Sequence, residues 1–91
     1  MTPEDDADVR DLRRRISDID RRVLELVNER VRVVGELWRL KAERGYDTAD
    51  PERERRMLDE LDRANEGPLS REGVAELQRE LLALTRRQLG R

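Results

Sequence analysis

Of the 20 basic residues in this 91-residue chain, 19 are arginine and only Lys41 is lysine. A chain that uses arginine for every other cation has made one exception, and the two side chains differ in chemistry. An ammonium is a compact point charge, whereas a guanidinium is a planar fork of donors. Arg30 is an exception of another kind, because it interrupts an apolar helical row between Leu26 and Val33. A guanidinium desolvated without an anion loses on the order of several kcal/mol. Two readings stay open for it alone: an internal ion pair with a carboxylate, or a pocket for an anionic ligand. Lys41 stands 11 residues further on. Eleven helical steps of about 100° return to within about 20° of the starting direction, so both cations project from one face about 16 Å apart. Like charges on one inward face are a poor structural device, and they suit a multiply anionic small molecule.

Other polar residues are weaker signals. Arg53 lies in the first turn of a helix, where it opposes the macrodipole, whereas Asp50, Glu52 and Glu54 agree with it. Arg13, Arg14 and Arg15 form a basic run that by default is a solvated face. Thr85 and Gln88 sit close to the apolar side of a third helix and gain interest only if that helix closes over Arg30 and Lys41. The chain has no Cys and no His, which excludes nucleophilic cysteine, imidazole acid–base chemistry and Cys/His zinc sites.

These residues need a frame, and the composition bounds it. Charged residues make up 46% of the chain and apolar residues 35%, so a single small domain is expected, with a modest core unless oligomerisation enlarges it. Residues 1–8 carry Glu4, Asp5, Asp6 and Asp8 without a base and read as an acidic, flexible leader to a helical domain over 9–91. The body is only mildly basic, which does not suggest nucleic acid. No apolar run is long enough to span a membrane, and the N-terminus lacks a signal-peptide pattern, so a cytoplasmic location is expected.

The architecture predicted is all-α, in the order long, short, medium. Val9, Leu12, Ile16, Ile19, Val23, Leu26, Val33, Leu37 and Leu40 advance by alternating steps of three and four. A second row, from Leu24 to Trp38, widens the stripe, so the helix has more than one neighbour. From about residue 8 to about residue 43 it would be on the order of 54 Å long. A compact globule of this chain length is only about 30 Å across. Its own chain cannot cover such a helix, which predicts a homodimer in which two long helices pair. Gly45-Tyr46-Asp47 ends it. Asp50 as N-cap and Pro51 as first helical residue begin a short second helix, and Gly67-Pro68 stops that one. Ser70 caps a third.

The stretch Leu12-Arg13-Arg14-Arg15-Ile16-Ser17-Asp18-Ile19-Asp20, followed by Leu24-Glu25-Leu26-Val27-Asn28-Glu29-Arg30, Lys41 and Asp50-Pro51-Glu52-Arg53-Glu54, resembles the all-helical (type II, AroQ-class) chorismate mutases over roughly residues 9–89. The resemblance implies an intertwined homodimer of three-helix subunits whose two sites draw on both chains. It implies conversion of chorismate to prephenate, in phenylalanine and tyrosine biosynthesis, by a pericyclic rearrangement. That reaction has no proton transfer and no covalent intermediate, so neither histidine nor cysteine nor any cofactor or metal is required. Shape and well-placed positive charge suffice.

Carried over residue by residue, the resemblance implies that Arg13 from the partner chain and Arg30 grip the two substrate carboxylates. Lys41 would donate to the ether oxygen as its bond breaks. Glu54, with the backbone near Asp50, would bind the ring hydroxyl, and Arg53 would support the carboxylates or the loop. Thr85 would preserve a hydroxyl where the family usually has Ser. The family commonly places Gln four residues after that Ser. Here Leu89 holds the position and the amide is one step earlier, at Gln88, which turns it by about 100°. Either the last turn is deformed or Lys41 works without that donor. Free-standing actinobacterial members that look like this depend on a shikimate-pathway enzyme, so an activating partner is a further implication. The same scaffold could instead act on 4-amino-4-deoxychorismate, or eliminate pyruvate from isochorismate. A non-catalytic dimerisation module is the remaining alternative, and the surroundings of Glu54 discriminate between ring hydroxyl and ring amine.

Overall fold

The computed structural model describes residues 2–90. A single 3-10 turn, Pro3–Asp5, precedes three α-helices: α1, Ala7–Glu43; α2, Pro51–Ala64; and α3, Arg71–Gln88. The described residues contain no strand. None of the described helices is long and apolar enough to cross a membrane. The residues group into two compact units, Met1–Arg30 and Val31–Arg91, and α1 contributes to both.

In the first unit, the acidic residues ahead of α1 organise its start. Asp6 Oδ1 accepts the amides of Asp8 (3.0 Å) and Val9 (3.4 Å), two groups that a helix N-terminus leaves without internal partners. Asp5 is tied to Thr2, and the Thr2 hydroxyl, followed by the Thr2 amide, holds its carboxyl below the ordinary carboxylate range. The apolar row of α1 in this unit is laid open: Leu12, Ile16, Ile19, Val23, Leu24 and Leu26 are each 47–63% exposed.

In the second unit, α1 ends in a closed cap. The amide of Tyr46 donates to the carbonyl of Lys41 at 2.8 Å and that of Gly45 to the carbonyl of Ala42 at 3.2 Å. This is the paired 6→1 and 5→2 arrangement of a Schellman motif, and its pivot, Gly45, has φ +72°, where a side chain is strained. Lys41 therefore sits in the final turn, where a cation also meets the negative end of the helix dipole.

α2 and α3 pack on one another. Their caps are the ones read from sequence: Asp50 Oδ1 accepts the amide of Arg53 at 3.1 Å with Pro51 in the first turn, and Ser70 Oγ accepts the amide of Gly73 at 3.0 Å. Between them, Asn65 ties the turn by accepting from the Gly67 amide and donating to the Leu69 carbonyl. Among the described residues only Val74, Gln78 and Thr85 are buried, and all three lie along one face of α3. Both buried polar side chains are satisfied, Gln78 by the Glu54 carbonyl and Thr85 by the Leu81 carbonyl.

Candidate active site

Arg13 and Arg30 belong to the first unit, and the remaining residues of the expected site belong to the second. Arg13 is exposed and its Nη1 lies 3.4 Å from Glu4 Oε1, with both side chains more than half open to water. Such a surface pair is worth at most about 1 kcal/mol, so it leaves the guanidinium available to a stronger anion. Arg30 is half-buried, as its position in the apolar row requires. Lys41 is half-buried too, on the capped last turn of α1.

Asp50, Arg53 and Glu54 form one unit of local structure. The Asp50 carboxylate receives the Arg53 amide, and the Asp50 carbonyl receives the Glu54 amide at 3.1 Å, so the cap sets where the next two side chains leave the helix. Arg53 is exposed and Glu54 half-buried. Replacing the cap has a defined cost: Asp50→Ala should lower stability by about 1 kcal/mol, read as a shifted midpoint in urea or thermal unfolding. An unchanged midpoint would mean that the cap does not hold this turn.

α3 brings Glu54 into a wider arrangement. Arg86 Nη2 donates to Glu54 Oε1 at 2.6 Å, and Gln78 Nε2 donates to the Glu54 carbonyl at 2.9 Å. Thr85, next to Arg86 in the chain, is buried, and its hydroxyl donates to Leu81 one turn back at 2.6 Å. Gln88, the last residue of α3, is exposed, whereas Leu89 is half-buried and its Cδ2 would lie 3.4 Å from a Cβ placed on Gly35. Leu89 thus lines a groove with Gly35 and Trp38 of α1.

Sequence pattern does not single out Gln78 and Arg86 as partners of Glu54. Arg86 belongs to a basic last turn of the sort that ends many helices, and Gln78 is an isolated amide. The one signal for Gln78 is its register, four residues after Val74 and seven before Thr85, on the side that faces α2.

Residues 12–89 match the family described as chorismate mutase type II. The chain is 39% identical over 77 residues to the bifunctional chorismate mutase/prephenate dehydratase of Pseudomonas aeruginosa, and 36% identical over 77 residues to that of Stutzerimonas stutzeri. Each alignment covers 79% of this chain and 21% of the relative, so the chain spans about a fifth of the length of these curated relatives. Two solved structures of a chorismate mutase from Thermus thermophilus share the fold. Form I has a TM-score of 0.82 at 35% identity, covering 85% of this chain and 96% of that one. Form II has a TM-score of 0.85 at 34% identity, covering 91% and 94%. The chain belongs to the type II chorismate mutase family.

Proposed function

We propose that this protein is a chorismate mutase, an isomerase that rearranges chorismate to prephenate on the route to phenylalanine and tyrosine. The observation that carries this reading is the similarity to the Thermus enzyme along 94–96% of its length at 34–35% identity. The reaction breaks the ether C–O bond and forms a C–C bond within one molecule, so the protein must hold a compact, chair-like conformer and meet the charge that develops. Arg30 and the partner's Arg13 bind the two carboxylates through bidentate forks. Lys41 donates to the ether oxygen, and Glu54 receives the ring hydroxyl. Arg53 supports the carboxylate end, Thr85 supplies a hydroxyl in the wall of the site, and Asp50 contributes by fixing the turn that carries Arg53 and Glu54. Gln88 is the nearest amide in sequence to the position where relatives carry Gln.

A homodimer completes this reading. The open apolar row of α1, from Leu12 to Leu26, is what a subunit leaves for a second copy to cover, and among the described residues Val74 is the only buried apolar side chain. Residues 1–8 are an acidic leader, whose last two residues open α1, to the catalytic domain of residues 9–91, and the protein works in the cytoplasm. Leucine in place of the usual glutamine at position 89 removes a donor from the ether oxygen, which makes an activating shikimate-pathway enzyme a natural partner.

The test is to give chorismate, isochorismate and 4-amino-4-deoxychorismate separately to the purified protein and identify the products. Prephenate from the first is the expected result. Pyruvate release from isochorismate as the main reaction, or no conversion of any of the three by folded protein, would overturn the proposal. If adding candidate partner enzymes leaves the rate unchanged, the activating partner is dismissed on its own.

A further inference from the structure

Glu54 carries a resident cation. Its Oε1 receives Arg86 Nη2 at 2.6 Å, the shortest ion pair among the described residues, and it links α2 to α3 across 32 positions of sequence. Three of the other pairs are local, between residues three apart on one helix. The backbone of Glu54 is fixed from α3 as well, by buried Gln78. The pair is not sealed, since the Arg86 and Glu54 side chains are 49% and 36% exposed.

The charge balance at this carboxylate decides what it can receive. Alone, a carboxylate prefers an ammonium to a neutral hydroxyl, because the charge-assisted bond is the stronger. With a guanidinium already on Oε1, the negative charge is compensated, while Oε2 still accepts a neutral O–H. A ring ammonium arriving at Oε2 comes within about 6 Å of the guanidinium. At an effective dielectric between that of a protein surface and that of water, the repulsion is worth about tenfold in binding.

Resting on the chorismate mutase reading, we propose that Arg86 is a specificity-determining residue. Paired with Glu54, it suits that carboxylate to a ring hydroxyl and disfavours the substrate analogue with an ammonium at the same ring position.

The experiment measures kcat/KM for chorismate and the inhibition constant of 4-amino-4-deoxychorismate against that reaction, in the wild type and in Arg86→Gln, Arg86→Met and Arg86→Lys. Removing the charge should tighten the analogue's binding relative to chorismate by about tenfold. Arg86→Lys, which keeps it, should stay near the wild-type ratio. A merely structural role would weaken both ligands alike, so an unchanged ratio in both neutral variants overturns the proposal. So does a wild type that binds the ammonium analogue more tightly than chorismate. Failure of the folded wild type to convert chorismate removes the functional reading itself, an outcome distinct from conversion with an unchanged ratio.

Discussion

Lys41→Ala should lower kcat/KM for chorismate by about a thousandfold, equivalent to about 4 kcal/mol of transition-state stabilisation, with helix content and assembly unchanged. The size follows from the chemistry. Negative charge grows on one atom, the ether oxygen, and a preorganised ammonium aimed at that atom acts in the transition state more than in the ground state. The fold should survive, because Lys41 is only half-buried and alanine is a better helix former. Lys41→Arg should not restore the rate, since a planar fork cannot occupy the place of a point donor without moving the substrate. Rates and circular dichroism on the same samples check this. Loss of less than about tenfold in Lys41→Ala would leave the lone lysine without the role given to it.

Arg13→Ala and Arg30→Ala should each be nearly inactive when pure, yet recover activity when the two chains are mixed. The reasoning is one of symmetry. In a mixed dimer, the site built around the intact Arg30 receives its Arg13 from the other chain, also intact, while the second site carries both defects. Random pairing makes about half of all dimers mixed, so roughly a quarter of wild-type activity should return on unfolding and refolding the mixture. No recovery, in a sample shown to contain mixed dimers, would place both arginines in one chain's site and remove the sharing. Retention of most activity by pure Arg30→Ala would undo the assignment of a carboxylate to that arginine.

What is legible in the sequence and what is not divides along physical lines. Helix ends are legible because caps are local: Asp50 before Pro51, Ser70 before α3 and Gly45 after Lys41 each act within a few residues. The half-burial of Arg30 and Lys41 follows from helical phase. The Arg86–Glu54 pair depends on how α2 and α3 pack, and a side chain 32 residues away carries no local mark of its partner. The same holds for Gln78, whose amide meets a backbone carbonyl that any sequence would present. The last turn is ambiguous in sequence for a different reason. Periodicity brings both Gln88 and Leu89 near the apolar side, and the backbone leaves the helix at Leu89, so the leucine lies over Gly35 and the amide faces water.

The cap at the end of α1 separates two mechanical tasks. The bond from Tyr46 to the Lys41 carbonyl, with Gly45 as pivot, ends the helix on its own terms before the connection to α2 begins. Residues 47–49 lie beyond the pivot, and none of the hydrogen bonds that close the cap depends on them. The turn that carries Lys41 is closed by bonds among residues 40–46 alone, as a hinge pin is set in its frame before the door is hung.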